Sequence, residues 1–307
     1  VSTPQRRFPG FLLLAGLSAG GIELIHSGVY GLTIFILFPV LLGGLASWAF
    51  RPSTGGQAAG LGALIVMIAL CSLLVAGLEG LGCLGMVLPL ALPLGALGGW
   101  LVYRAESSRR SAKGGGAVML LLLPASLTWD THARPPVYEI HSAVTIAASP
   151  EQVWPHVVSF SEMPAPTEWF FRTGLAFPTR ARIEGTGVGA TRYCDFSTGP
   201  VVEPVEVWDP PRLLQFRVTE NPPPMRELSL YSEVLPRHLH GYLISREGQF
   251  RLTRLPGNRT LLEGTSWYQH GLWPAEYWRW WSDAIIRRIH MRVLNHIRTL
   301  VEAHGHS

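Results

Sequence analysis

Only one of the 25 basic side chains in this chain is a lysine, Lys113; every other is arginine, a bias that points to a GC-rich genome rather than to phosphate recognition. Cysteine is almost as scarce. Cys71 and Cys83 sit in apolar segments and Cys194 stands alone further on, so neither a paired disulfide framework nor a zinc-finger spacing is available and stability has to come from a packed core. No phosphate-binding loop, dinucleotide fingerprint or nucleophile motif occurs anywhere. Charge itself is missing from long stretches of the first third, and that absence organises the rest of the reading.

Before Arg134 there are seven basic and four acidic residues among long apolar runs; from Arg134 onward there are 18 arginines and 17 acidic residues. The second part therefore reads as one ordinary domain of near-neutral charge. The sequence pI of about 9.2 comes from basic residues beside the apolar runs, where membrane topology explains them, so nucleic acid is not an expected partner.

A membrane-crossing helix needs about 20 mainly apolar residues, because only a helix satisfies its own backbone in hydrocarbon. Three segments, 28–50, 58–78 and 81–103, meet this without a charge. Two weaker ones, 8–27 and 114–129, bring the expectation to five spans within a transmembrane region over residues 1–132. The fifth ends at Asp130. Arg6, Arg7, Arg51, Arg104, Arg109, Arg110 and Lys113 all fall on one side of such a topology, while the opposite turns carry Glu23, His26 and Glu79. The positive-inside rule then gives a multi-pass protein of a bacterial inner membrane, with a cytoplasmic amino terminus and a domain of residues 133–307 on the periplasmic face. Cleavage of the first segment as a signal peptide would leave that topology unchanged. Glu23 and Glu79 are expected in short solvated turns, and Gly60, Gly62, Gly95, Gly98 and Gly99 are expected to let helices pack closely.

After the stiff linker Arg134-Pro135-Pro136, the alternation of Tyr138 to Ala147 predicts a strand. Ser149-Pro150-Glu151-Gln152 then predicts a helix start: a capping serine, a proline at the first helical position and a glutamine three residues after the cap. Pro155 predicts a kink or an early stop. From Ala181 the pattern is a run of antiparallel strands over 182–184, 190–197, 201–208, 213–220, 243–255 and 259–270. A long amphipathic helix over 274–303 follows, with Trp278, Trp281, Ile285, Ile289, Val293, Ile297 and Leu300 at three- and four-residue steps. The fold class expected is an α-helical transmembrane region followed by an α+β domain in which a curved antiparallel sheet grips a long carboxy-terminal helix.

Four local patterns carry a family resemblance: Val144-Thr145-Ile146-Ala147-Ala148-Ser149-Pro150-Glu151-Gln152-Val153-Trp154, Gly187-Val188-Gly189-Ala190, Trp208-Asp209-Pro210-Pro211-Arg212-Leu213-Leu214 and Thr260-Leu261-Leu262-Glu263-Gly264. In this order, over roughly 137–303, they resemble the helix-grip domains of the SRPBCC superfamily, which includes START-related lipid-binding domains and polyketide cyclases. Pro155 and a longer insert over 221–241 depart from the pattern. The resemblance implies an apolar cavity between sheet and helix for a lipid, isoprenoid or polyketide-like ligand. Its candidate lining is Trp154, Tyr193, Phe196, Phe216, Phe250, Trp267, Trp278, Trp281, Ile285 and Ile289.

Fold does not fix function, since one scaffold serves carriers, sensors and enzymes. Tyr193, Asp195, Glu203, Glu206, Arg217, Arg251, Glu263 and Tyr268 could act on a ligand, but a catalytic acid or base needs a partner within hydrogen-bond reach, which spacing does not supply. No catalytic residue is therefore assigned. His238 and His240, with His270, could be imagined around a metal, but they flank Leu239 in the insert and are expected as solvated loop histidines; neither metal nor cofactor is expected. Trp267, Trp273, Trp278, Trp280 and Trp281 are expected in the core, at a cavity mouth or at a membrane interface. The partners expected are membrane lipid, an apolar small molecule and other membrane proteins. Three functions stand open: ligand binding or transfer at the outer membrane face, a non-catalytic subunit of a larger membrane complex, and a cyclase or dehydratase.

Overall fold

Five helices precede Arg134: α1 (Pro4–His26), α2 (Phe38–Phe50), α3 (Gly55–Val75), α4 (Leu81–Ser107) and α5 (Gly115–His132), with a π-helical turn, Thr33–Leu37, leading into α2. The structure is a computed structural model that describes residues 4–108, 115–231, 234 and 236–304. Among the described residues, four helical stretches are long and apolar enough to cross a membrane: Phe8–His26, Thr33–Phe50, Gly55–Val75 and Leu81–Ser107. The expected fifth span corresponds to α5; Gly114 and the basic positions Arg109, Arg110 and Lys113 lie outside the described residues.

Two compact units divide the chain. The first holds the five helices together with Glu227–His238 and Gly271–Glu276; the second holds Pro135–Arg226, Leu239–His270 and Tyr277–Ser307. The first unit's opening stretch ends at Arg134, beside the boundary expected at 132–133, and two later segments are grouped with it.

Glycine sets the spacing in the first unit. The carbonyl of Gly95 occupies the space a side chain at Gly43 or Gly62 would need, and that of Ala58 does the same at Gly99, so α2, α3 and α4 meet backbone to backbone. Gly60, also expected at a packing face, borders open space. At one end of the bundle Asp130 of α5 accepts hydrogen bonds from the backbone of Leu32 (2.8 Å) and Thr33 (3.0 Å), capping the π-turn that leads into α2.

The second unit is a seven-stranded antiparallel sheet: β1 (Val137–Ile146), β2 (Pro178–Glu184), β3 (Thr191–Phe196), β4 (Gly199–Asp209), β5 (Leu213–Arg217), β6 (Leu243–Leu255) and β7 (Arg259–His270), in the order β1-β7-β6-β5-β4-β3-β2. The alternation read in β1 appears as strict alternation of exposed and buried side chains. Between β1 and β2 lies α6 (Pro150–Val158); Gln152 Oε1 accepts from the Ser149 amide at 3.0 Å, completing the expected capping box. Pro155 stands inside α6 and the helix ends three residues later, the early stop expected of it. β5 is shorter than its apolar run because the chain beyond Arg217 crosses toward β4, where Glu220 bridges Val202.

The 30-residue α7 (Ala275–His304) closes the domain and is about 45 Å long at 1.5 Å per residue. Its Val293, Leu294, Ile297 and Val301 meet Ile146, Val153, Val157, Leu214 and Leu262 in one core. With Leu294 and Leu262 fully buried, truncating either to alanine costs about 2–5 kcal/mol. This is the helix-grip fold that the strand and helix order implied.

Candidate functional site

A cavity of about 180 Å³ lies between the sheet and α7. Alternation on each strand decides what reaches it. β3 turns Arg192, Cys194 and Phe196 inward; β4 contributes Val201 and Glu203; Phe216 and Val218 come from β5 and the residue after it; Gly248 and Phe250 come from β6; Gly264, Ser266 and Tyr268 come from β7. The helix supplies Ile285, Ile286, Ile289, His290, Val293 and Leu294, one stripe at helical spacing, and the Pro222-Pro223-Pro224 run adds a further wall. Gly248 is required by a close approach: a side chain there would enter the Phe216 ring.

The inner polar group is an ion pair. Arg192 and Glu203 are cross-strand partners on β3 and β4, both almost wholly buried, with Nη1 of the guanidinium donating to Oε2 of the carboxylate. Nε of Arg192 donates to the Val158 carbonyl at 3.2 Å, and the guanidinium carbon lies 5.4, 5.5 and 5.9 Å from the ring centres of Phe216, Phe250 and Phe160. Burial pushes the Glu203 carboxyl above its ordinary value while the guanidinium pulls it back. The Cys194 thiol is pushed up to about 12, chiefly by burial and next by the Glu203 charge, so it stands in the wall as a buried, protonated thiol.

Two more polar groups face the cavity. His290 places Nε2 2.8 Å from Ser266 Oγ and Nδ1 3.3 Å from Ser142 Oγ; burial, with His141 and Arg287 nearby, lowers it to about 4, so the ring is neutral at neutral pH and donates to one serine while accepting from the other. Tyr268 donates to Asp283 Oδ1 at 2.5 Å, and its phenol is pushed far upward by burial and that contact.

Of the ten lining candidates read from the sequence, Phe196, Phe216, Phe250, Ile285 and Ile289 border the cavity and five do not. Trp154 packs against the core edge-on to Trp208. Tyr193 points to the other face of β3, beneath the Arg182 guanidinium at 4.0 Å, since alternation sends it opposite to Arg192 and Cys194. Trp267 likewise faces outward, donating to Glu139. Trp278 is buried and Trp281 half-buried in the first turns of α7, where they meet Tyr277 and Trp280.

Among the strand polar residues weighed as chemistry candidates, Glu203 and Tyr268 face inward. Asp195 pairs with Arg180 (2.6 Å), Glu206 with Arg217 (3.7 Å) and Glu263 with His141 (3.4 Å), and Arg251 is exposed. Sequence reasoning missed Arg192 and His290; the available signal was the alternation of β3 and the position of His290 one residue after Ile289 on the apolar stripe. The three histidines fall into two units, His238 in the first and His240 and His270 in the second. His270 stacks on Tyr138 and His240 is exposed, whereas His238 is nearly buried in the first unit rather than solvated. Glu79 too is buried, against the expectation of a solvated turn, because Tyr30 and His238 cover it.

Residues 138–269 match the family model described as polyketide cyclase / dehydrase and lipid transport. A search of curated proteins gives no match. Among solved structures, a point mutant of norcoclaurine synthase from Thalictrum flavum is 14% identical, with 57% of this chain and 99% of that chain covered and a TM-score of 0.37. The Zhui aromatase/cyclase from Streptomyces sp. R1128 is 18% identical, with 54% and 94% covered and a TM-score of 0.34.

Proposed function

We propose that this chain is a membrane-anchored protein whose polyketide cyclase-type domain binds or passes an apolar ligand at the extracytoplasmic face. The observation that carries the reading is the cavity: walls of Phe196, Phe216, Phe250, Ile285 and Ile289, with the neutralised Arg192–Glu203 pair as a polar contact. A volume of about 180 Å³ is below the roughly 300–1,000 Å³ of pockets for drug-sized molecules, so the occupant is an acyl or isoprenoid segment or a compact ring system with one polar end.

Contacts inside the helical unit support the orientation. Asp130 binds the backbone of Leu32 and Thr33, and Tyr30 donates to Glu79 at 3.1 Å, so the end of α5 is at the same end of the bundle as the Glu79 turn. Arg51 and Arg104 belong to the opposite helix ends. With the arginines cytoplasmic, α5 delivers the domain to the periplasm.

An enzymatic reading of the cyclase or dehydratase type rests on a separate observation, the buried acid Glu203 and the neutral His290–Ser266 pair among the residues that line the one cavity. The binding reading is tested with the full chain in phospholipid nanodiscs, titrated with a fluorescent polyene fatty acid. Saturable one-to-one binding that is lost in Ile289→Trp supports it; no saturable binding, with the domain folded, contradicts it. Turnover of a supplied polyketide-like substrate that falls in Glu203→Gln would make the domain an enzyme. A carboxy-terminal reporter active only in the cytoplasm would overturn the orientation.

A further inference from the structure

Glu79, Cys83 and His238 come from distant parts of the sequence, yet one potential ligand atom from each lies within 4.8 Å of the others, and all three residues are buried. The α3–α4 turn supplies Glu79, the first turn of α4 supplies Cys83, and the short helix Arg237–Leu239 supplies His238; all belong to the first unit. Cys83 Sγ is 2.7 Å from His238 Nε2, and Glu79 Oε2 is 3.6 Å from His238 Nδ1.

Two facts separate this cluster from an ordinary hydrogen-bonded staple. Among the described residues, Glu79 Oε2 and His238 Nδ1 are both inaccessible to solvent and without a hydrogen-bond partner, as is Oε1 of the neighbouring Glu227, whose other oxygen accepts from the Gly82 amide at 3.2 Å. Buried polar atoms are rarely left so. A second carboxylate, Glu227, adjoins Cys83, and the only basic side chain the structure brings to Glu79 among the described residues is an imidazole. Two acids and a thiol gathered with one histidine in a buried place lack a compensating cation, which a divalent ion would provide.

We propose that Glu79, Cys83 and His238 form a zinc-type metal site that fastens the 227–238 segment to the α3–α4 turn. One thiolate, one imidazole and carboxylate oxygen are the donor set of zinc, not of magnesium or calcium, which take oxygen alone. Zinc at about 2.3 Å from sulfur and about 2.0 Å from nitrogen in a tetrahedral site separates those atoms by about 3.5 Å, so loading parts Cys83 from His238 by less than about 1 Å. Binding releases the Cys83 thiol proton, because sulfur coordinates as thiolate. A water completes the tetrahedron. The ion holds the segment in place together with the existing Leu81 amide to Leu228 carbonyl bond of 2.8 Å.

The test uses the full chain, purified in detergent without chelators, dialysed against micromolar zinc and then against metal-free buffer, with zinc per chain measured by plasma mass spectrometry. One zinc per chain is expected in the wild type and in Cys71→Ser, and at least a tenfold weaker affinity in Cys83→Ser and His238→Ala. No zinc retained by the wild type, or full retention in both site variants, overturns the site. If the variants fail to fold, zinc X-ray absorption on the wild-type chain decides: one sulfur scatterer with nitrogen and oxygen neighbours supports it, and a shell of nitrogen and oxygen alone overturns it.

Discussion

Arg192 and Glu203 face each other across the β3–β4 ladder, joined by a hydrogen bond between guanidinium and carboxylate inside a wall of phenylalanine rings. An ion pair in such a place stabilises little by itself, because desolvation offsets most of the attraction. Its significance is positional: it puts charge and hydrogen-bonding capacity on an otherwise apolar cavity wall.

The pair is expected to behave asymmetrically on mutation. Arg192→Met leaves a buried, unpaired carboxylate and should lower domain stability by about 3–5 kcal/mol, whereas Arg192→Met with Glu203→Leu should recover most of that loss. Chemical denaturation of the full chain, followed by tryptophan fluorescence, measures both. Equal losses in the single and double variants would mean that packing, not charge, holds this wall.

His290 makes the domain acid-sensitive. Its folded pKa of about 4 lies below the 6.5 of an exposed histidine, so the unfolded chain binds the extra proton first. The stabilisation is complete above pH 6.5 and is lost as pH falls toward 4, by about 3 kcal/mol over that window. His290→Gln should flatten this part of the stability profile in melts taken between pH 4 and 7.

Close helix packing in the first unit predicts that Gly95→Leu is far more damaging than Gly60→Leu. The first forces α2, α3 and α4 apart, while the second projects into open space. Thermal stability in detergent should drop by several degrees or more in the first and hardly change in the second.

The legible parts of the sequence were those governed by local rules. Ser149, Pro150 and Gln152 announce α6 because capping chemistry acts within four residues. β6 and β7 begin and end at the expected residues because turn signals flank them. What stayed hidden depends on register and long-range docking. Glu203 was a candidate among eight strand residues, and only the pairing of β3 with β4 sets it against Arg192. Nothing local says that residues 227–238 pack with the helical unit, and that contact is what buries Glu79 and His238. The tryptophans misled for a physical reason: Trp267 and Trp154 have the size expected of cavity lining, but strand alternation and the core edge place them elsewhere.

Native mass spectrometry of the whole protein, gently extracted from its own membrane, tests the central claim most directly. The account predicts one apolar small molecule per chain, retained in Gly60→Leu and expelled in Ile289→Trp. An empty domain held by a stable set of partner proteins would contradict it and make the chain a subunit of a larger complex.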